Sequence, residues 1–310
     1  MSSHSRTTGV DDRCIRTVPF YIVDVFAERP LTGNPLALVD DAAVLDDTTM
    51  RLIAREFNQA ETTFLLPPSL PGADCRLRSF TPTGAEVVGA GHNSLGAWWW
   101  LADAGRLELA DGSGRFSQQL GDRVLPVEVR GAGGRPSSVV LDQARPEQGA
   151  VVGDAGPLAA ALGLAPDDLR SDLPTQVIDT GAAHLLVPAV DRTVVDGARP
   201  DAPALLAQLE AAGGQGCYLF SLDPTRADAT AYARFFNPTV GIWEDPATGS
   251  AAGPLACLLI AAGIVGDAGT VLIEQGYAMG RPSLLRVEVD GSRIRLGGAC
   301  VIVAEGSLRV

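Results

Sequence analysis

Three side chains in this chain have the chemistry to move a proton between carbon atoms, and two of them stand in glycine-rich turns. Glu61 opens the apolar run ETTFLL (61–66), His92 lies in GAGHNSLGA (89–97), and Asp245 lies in EDPATGSAAG (244–253). A carboxyl group at an element end beside a hydrophobic wall is desolvated, which raises its pKa and makes it a usable proton shuttle near neutrality. An imidazole at a helix start is biased to the neutral form by the helix dipole and can then donate or accept a hydrogen bond. Gly91 and Gly249, the latter followed by Ser250, mark where two helices begin. Backbone N–H groups without partners at such starts bind anions readily. Two of them facing one cleft would hold a small carboxylate.

Each residue taken alone has an ordinary reading. Glu61 reads as a solvated carboxylate at a strand start, His92 and Ser250 as helix caps, and Asp245, before Pro246, as a turn residue. The turns, however, come as a matched pair. Arg78-Ser79-Phe80-Thr81-Pro82-Thr83 precedes the first, and Arg234-Phe235-Phe236-Asn237-Pro238-Thr239 precedes the second. Gly91 to Gly105 and Gly249 to Gly263 are the same fourteen-residue step over an Ala- and Leu-rich helical run. Gly91 lies thirteen residues after Arg78 and Gly249 fifteen after Arg234, so the copies differ by a two-residue insertion. One strand–turn–helix unit occurring twice at this spacing indicates a duplicated domain rather than a solenoid. Ser250, His92 and Asp245 are also the residue types of a hydrolytic triad. Thr248-Gly249-Ser250-Ala251-Ala252 lacks the Gly-x-Ser-x-Gly elbow that such a nucleophile needs.

The elements that must position these groups follow from patterning. Strands are expected at 21–26, 33–39, 61–66 and 74–80, with an amphipathic helix over 47–57 capped by Asp46 or Asp47 and facing inward through Met50, Ile53, Ala54 and Phe57. A helix over about 93–104 follows the first turn, then strands near 116–119 and 124–130. GAGGRP (131–136) reads as a linker. A second series then begins with SSVVLDQ: a helix near 155–163, strands TQVIDT and HLLVPAV, a helix over 201–212, and strands CYLFSL and YARFFNP. The helix over 249–262 is apolar all round and so belongs inside a domain. Strands near 269–274, 284–289, 293–297 and 300–304 close the chain. Many short strands around one central helix per half make an α+β arrangement; alternating βαβ units fit less well, since consecutive strands are often joined without a helix.

Composition narrows the chemistry. The 310 residues, 46% of them apolar, suffice for two domains with real cores. The net charge of −13 repels nucleic acid and anionic lipid, so neither is an expected partner. No apolar run is long enough to span a bilayer, and Trp98-Trp99-Trp100 sits in a short helix. The start, MSSHSRTTGVDDRC, lacks a basic, then apolar, secretory pattern, so a cytoplasmic location is expected; residues 1–16 read as a disordered tail. The chain contains no lysine, which removes Schiff-base and P-loop chemistry. Cys14, Cys75, Cys217, Cys257 and Cys300 form no CxxC pair and read as idle thiols, and His4, His92 and His184 have no metal spacing, so no metal is expected. No early GxGxxG follows a strand. The expected chemistry is cofactor-free.

The order of motifs resembles the PhzF family, the phenazine-biosynthesis-like proteins, which share the diaminopimelate-epimerase-like fold. The matching stretches are VDVFAERPLTGNPLALV (23–39), IAREFNQAETTFLL (53–66), RSFTPTGAEVVGAGHNSLGA (78–97), RFFNPTVGIWEDPATGSAAG (234–253) and EQGYAMGRPSLLRVEV (274–289). The resemblance implies two pseudo-symmetric domains, each a curved, mostly antiparallel sheet wrapped around a central helix, with the site in the cleft between them, and a homodimer working in secondary metabolism. It places the family's acid/base glutamate on Glu61 and its supporting histidine, aspartate, glycine and serine on His92, Asp245, Gly249 and Ser250. The cysteines of the related epimerases fall on Ala90 and Thr248, which excludes two-thiol racemisation. The chain departs from the family's Phe-Ala-Gly-His-Pro at Gly89 and Asn93. Losing the phenyl ring reshapes a pocket it faces, and Asn93 adds a donor and a polar side chain at the helix start.

The combined expectation is a cofactor-independent isomerase moving a proton between carbons of a small carboxylic acid. Glu61, His92 and Asp245 are its catalytic residues, and Gly91, Asn93, Gly249 and Ser250 bind the substrate. The domains are expected over 17–130, with the last strand near 300–310 available to complete it, and over 131–299. The alternatives are an amino-acid-type epimerase using carboxylates and a non-catalytic small-molecule binding protein.

Overall fold

The computed structural model of the protein describes residues 16–310. His4, Cys14 and nearly all of the expected disordered tail lie outside them; Arg16 is paired with Val310 through both backbone hydrogen bonds. β-Branched and alternating segments form β1 (Thr17–Val25), β2 (Asn34–Val39), β3 (Thr62–Leu66), β4 (Cys75–Phe80), β5 (Glu86–Val87), β6 (Ser113–Leu120), β7 (Arg123–Ala132) and β8 (Arg135–Asp142). Two helices interrupt them, α1 (Asp47–Phe57) after β2 and α2 (His92–Asp103) after β5. The pairing runs β1–β2 antiparallel, β2–β3 parallel, β3–β4 antiparallel and β4–β6 parallel, then antiparallel through β7 to β8, with β5 folded back on β4.

Beyond β9 (Glu147–Val151) and α3 (Gly156–Ala161) the same succession recurs. β10 (Gln176–Asp179) pairs antiparallel with β11 (Ala183–Pro188); after α4 (Arg192–Gly197) and α5 (Ala202–Ala212), β12 (Gly216–Ser221) joins β11 in parallel. β13 (Ala231–Asn237) is antiparallel to β12, and β14 (Ile242–Asp245) folds back on β13. After α6 (Gly249–Ala261), β15 (Ala268–Gln275) runs parallel to β13, followed antiparallel by β16 (Ser283–Asp290) and β17 (Arg293–Gly298). β8 pairs with β17, β9 with β10, and β18 (Cys300–Arg309) with β1. The result is a mixed α/β molecule dominated by one large, mostly antiparallel sheet with few helices.

The duplicated motif also repeats its side-chain geometry. Arg78 forks onto Glu86 through Nε and Nη2 at 2.7 and 2.8 Å, and Arg234 forks onto Glu244 through the same atoms at 2.8 Å each. Each guanidinium lies over the phenyl ring two residues on, Phe80 at 5.0 Å and Phe236 at 4.9 Å. The two-residue insertion falls between the arginine and its glutamate.

α2 and α6 share one continuous apolar core with Val25, Leu36, Phe235 and Leu296. Trp98, fully buried in α2, stacks on Phe116 and donates its indole N–H to Gln118 Oε1 at 3.0 Å, the partner a buried indole requires. α6 contains Gly253 and Pro254, both poor helix formers. Burial of Leu255, Leu258 and Leu259, at roughly 2 kcal/mol each, outweighs that penalty. α1 packs outside, with Met50, Ile53 and Ala54 on Phe64 and Phe80, and Asp46 caps it by accepting from Thr49 N–H. Among the described residues no helix is long and apolar enough to cross a membrane.

One expectation about organisation is corrected. Residues 131–136 close the β7–β8 hairpin, with Gly131 opposite Pro136 and Ala132 opposite Arg135, rather than forming a linker. Gly133 and Gly134 both have positive φ, so the glycine richness serves the tight turn.

Candidate active site

The EDPATG turn is built around Asp245 at the end of β14. Its Oδ2 accepts the Thr248 hydroxyl at 2.5 Å, and its Oδ1 accepts Asn34 Nδ2 at 2.9 Å from the far end of the sequence. Asn34 also donates to the Ala247 carbonyl at 3.0 Å. Gly33 sets the entry of Asn34: its φ is +68°, and a Cβ there would run into the Val25 carbonyl oxygen. Gln275 locks the turn from β15. Its Nε2 donates to the Asp245 carbonyl at 2.7 Å and to Thr248 Oγ1 at 3.0 Å; its Oε1 accepts from Thr248 N–H at 3.1 Å and Tyr218 OH at 2.9 Å. Burial pushes the Asp245 carboxyl up to about 6, even though Thr248 and Asn34 pull it down.

Glu61 immediately precedes β3. Its Oε2 is shielded from solvent and has no partner among the described residues. Burial, and secondarily the Asp245 charge, push its carboxyl up to about 8. His92 is the first residue of α2, and its Nε2 is likewise shielded and without a partner. Its pKa is lowered to about 4; the cause is burial, where the sequence pointed to the helix dipole. A hydrogen-bond chain ties the strand after Glu61 to the turn that carries His92. Thr63, two residues past Glu61, shares a 2.9 Å bond with Ser79 Oγ, which accepts from Asn93 Nδ2 at 3.2 Å in the His92 turn.

Asn93 is buried and its side chain is occupied by the turn. Nδ2 donates also to the Gly89 carbonyl at 3.0 Å, and Oδ1 accepts from Gly91 N–H and Ser94 N–H, both at 2.8 Å. The expected ligand groups at this helix start are thereby reduced to the main-chain N–H groups of His92 and Asn93, which have no acceptor within the helix. At α6 the corresponding donors are Gly249 and Ser250, because Ala251 N–H and Ala252 N–H already bond the Thr248 carbonyl. Ser250 does not meet His92. Its Oγ lies 2.9 Å from Nε2 of His184, a buried residue of β11.

The site thus joins Glu61 to Asp245 electrostatically, Asp245 to Asn34, and the His92 turn to β3. Asn34, Gln275 and His184 carry no site role in the sequence reading, and Thr248 enters it only as a position where the related epimerases have cysteine. Asn34 and Gln275 do stand in GNPLALV and EQG; Thr248 sits in the glycine turn itself. His184 has no local signal, being one polar residue in an apolar strand. A cavity of about 330 Å³ between the 26–32 and 277–284 segments does not take in Glu61, His92 or Asp245, though Phe26, in its wall, also packs against Gly249. No group of three or more His, Cys, Asp or Glu suited to a metal occurs among the described residues.

The candidate site gathers two raised carboxyls, Glu61 and Asp245, and two imidazoles held neutral by burial, His92 and His184. Residues 23–306 match the phenazine biosynthesis-like protein family, PhzC-PhzF, and the chain belongs to it. It is 34% identical over 299 residues to the trans-2,3-dihydro-3-hydroxyanthranilate isomerase of Pseudomonas fluorescens, covering 93% of this chain and 98% of that one. A solved structure of a predicted epimerase from Pseudomonas aeruginosa superposes with a TM-score of 0.79 at 35% identity, covering 94% and 99% of the two chains. A PhzF-family protein of Bacillus anthracis gives 0.84 at 26% identity, covering 95% and 100%. The protein is an isomerase.

Proposed function

We propose that the protein is a cofactor-independent isomerase that moves a proton between carbons of a small carboxylic acid, with Glu61 as the acid/base group. The observation that carries this reading is a carboxyl group raised to about 8, its shielded Oε2 without a partner among the described residues, with a second carboxyl acting on it that is raised only to about 6. Two carboxyls whose environments push their pKa values apart divide the roles. Asp245 is ionised at neutral pH, and Glu61 holds a proton in most molecules and is ionised in roughly one in ten at pH 7. That fraction abstracts the C–H proton, and the neutral acid returns it to another carbon. The N–H groups at the starts of α2 and α6, with Ser250, bind the carboxylate and stabilise the enolate-like charge. His92, neutral and with Nε2 bare, orients the substrate.

The same reading treats the fold as two similar units facing each other across the cleft, the first from residue 17 and completed by β18, the second running to 299. Its support is the repeated succession of pairings and the repeated Arg–Glu forks. The sequence reading divides the units at 130/131; this reading proposes the β8–β9 connection instead, since the pairings of β1 to β8 are matched by those of β10 to β17.

The test is deuterium uptake from D₂O, first into trans-2,3-dihydro-3-hydroxyanthranilate, which names the P. fluorescens relative, then into a panel of amino and hydroxy carboxylic acids. Gly89 and Asn93, standing where the family carries Phe and Pro, make the panel necessary. Glu61→Gln abolishes uptake while the protein stays folded; undiminished uptake removes Glu61 as the shuttle. A shift in ultraviolet absorbance accompanies proton relocation. Inversion at the exchanging carbon without that shift identifies an epimerase, and no exchange with any acid that binds identifies a binding protein.

A further inference from the structure

His184 stands in β11 and meets the candidate site through Ser250, and its surroundings are asymmetric. The ring is 3% exposed and stands edge-on to Phe235, with centroids 5.0 Å apart and planes at 86°. Nε2 meets Ser250 Oγ at 2.9 Å. Nδ1 is shielded from solvent and has no partner among the described residues. It faces Gly216, which pairs opposite His184 in the parallel β11–β12 register; a Cβ there would stand 3.2 Å from Nδ1 and run into the Phe235 ring. The glycine therefore makes the space that the imidazole and the phenyl ring share.

A neutral imidazole carries one N–H and one bare nitrogen. Burial keeps His184 neutral, holding it down to about 4. If the proton sat on Nδ1, an N–H donor would be buried with no acceptor, the rarer and costlier kind of orphan. On Nε2 the same proton has the Ser250 oxygen as acceptor. Ser250 Oγ, once it accepts from the ring, must point its own hydroxyl proton elsewhere, and Ser250, the second residue of α6, is exposed.

We propose that His184 is a positioning residue for substrate binding: its Nε2–H donates to Ser250 Oγ and thereby aims the Ser250 hydroxyl proton at the substrate carboxylate. This rests on the reading of Ser250 as a carboxylate ligand. With the imidazole in place, Ser250 adds a third donor to the N–H groups of Gly249 and Ser250 at the helix start. Without it, the hydroxyl is free to rotate and bond the backbone of its own first turn, as serines near helix starts do.

The experiment has two arms on the full chain. In the first, ¹⁵N-edited NMR of the imidazoles reads the His184 tautomer, with His184→Phe identifying the signal; a protonated Nε2 and bare Nδ1 are expected, and the reverse overturns the proposal. In the second, anthranilate is the carboxylate probe and its dissociation constant is measured for His184→Phe, His184→Gln, Ser250→Ala and the double variant His184→Phe/Ser250→Ala. His184→Phe weakens binding roughly tenfold. His184→Gln, whose amide N–H reaches the same point, recovers most of it, and His184→Phe has no further effect once Ser250 is alanine. Equal losses from His184→Phe in both backgrounds mean a merely structural role and overturn the proposal. If Glu61→Gln abolishes exchange and Ser250→Ala weakens anthranilate but His184→Phe does not, the proposal fails alone; if Ser250→Ala is also silent, the reading of Ser250 as a carboxylate ligand fails with it.

Discussion

Glu61 gives up its proton at about 8 in the folded protein and at the ordinary carboxyl value of 4.5 when the chain unfolds. Its burial is therefore costless below pH 4.5 and destabilises the fold progressively as pH rises to 8. His92 and His184 act in the opposite sense. Both fall from 6.5 to about 4 on folding, so their contribution is complete above pH 6.5 and is lost as pH falls toward 4. Asp245, at about 6, is ionised in both states above neutrality. From about pH 7 to 8 Glu61 is the member of this group whose protonation differs most between the two states. Glu61→Gln should accordingly be more stable than the parent, by a margin that widens at up to about 1.4 kcal/mol per pH unit across that window. Urea denaturation at several pH values reads the margin, and a flat difference would mean that Glu61 is solvated. By position alone this residue reads as a solvated carboxylate at a strand start, and it is the resemblance of the surrounding motif to the PhzF family that points to an acid/base role. The sequence did not reveal Asn34, Gln275 or His184, whose partners lie tens to hundreds of residues away and leave no local pattern.

At the scale of elements, the Arg–Glu fork occurs twice in two different solvent environments. Arg234 and Glu244 side chains are 7% and 10% exposed, whereas Glu86, opposite Arg78, is 30% exposed. Arg234 also donates to the Val195 and Ala198 carbonyls at 3.0 Å each, fastening α4 to β13. Removing it strands a buried carboxylate and two carbonyls. Arg234→Ala should cost about 3–5 kcal/mol, and Arg78→Ala, which leaves its partners with access to water, about 1–2 kcal/mol. Equal losses in denaturant midpoints would show that burial does not set the value of the fork. The two motifs were legible as a repeat because arginine, phenylalanine, proline and glycine recur at nearly fixed steps. α1, α2 and α6 were legible from caps and apolar faces. β9 was not: every one of its residues is exposed, so Glu147–Val151 has no alternation to read. β5 and β14, at two and four residues, are too short to carry a period. The 131–136 stretch was misread because glycine marks flexible linkers and tight hairpins alike.

At the scale of the molecule, the site is held by contacts between segments more than two hundred residues apart. Arg281 donates to the carbonyls of Gly33 and Thr32 at 2.7 and 2.8 Å and to Asp24 Oδ1 at 2.6 Å, and Gly33 N–H returns a bond to the Pro282 carbonyl at 3.0 Å. Asn34 then carries the connection to Asp245. This crossing makes the titration of Glu61 depend on a residue from another element that touches only its neighbour. Asn34→Ala removes a donor from the Asp245 carboxylate, so its pKa rises above about 6 and a larger share of it is neutral near pH 7. The charge that helps hold Glu61 up is weakened, and the Glu61 pKa falls. If the ionised Glu61 starts the reaction, kcat/KM climbs with pH and is half-maximal near 8, and in Asn34→Ala the half-rise moves to lower pH by a fraction of a unit, since burial remains the main cause of the shift. Asn34→Asp does the reverse: a third carboxyl raises both pKa values and moves the half-rise to higher pH. Opposite displacements in the two variants, read from pH–rate profiles, would show that contacts from the far end of the chain tune the proton affinity of Glu61. A half-rise that stays put in both would mean that Asp245 shapes the turn without acting on Glu61.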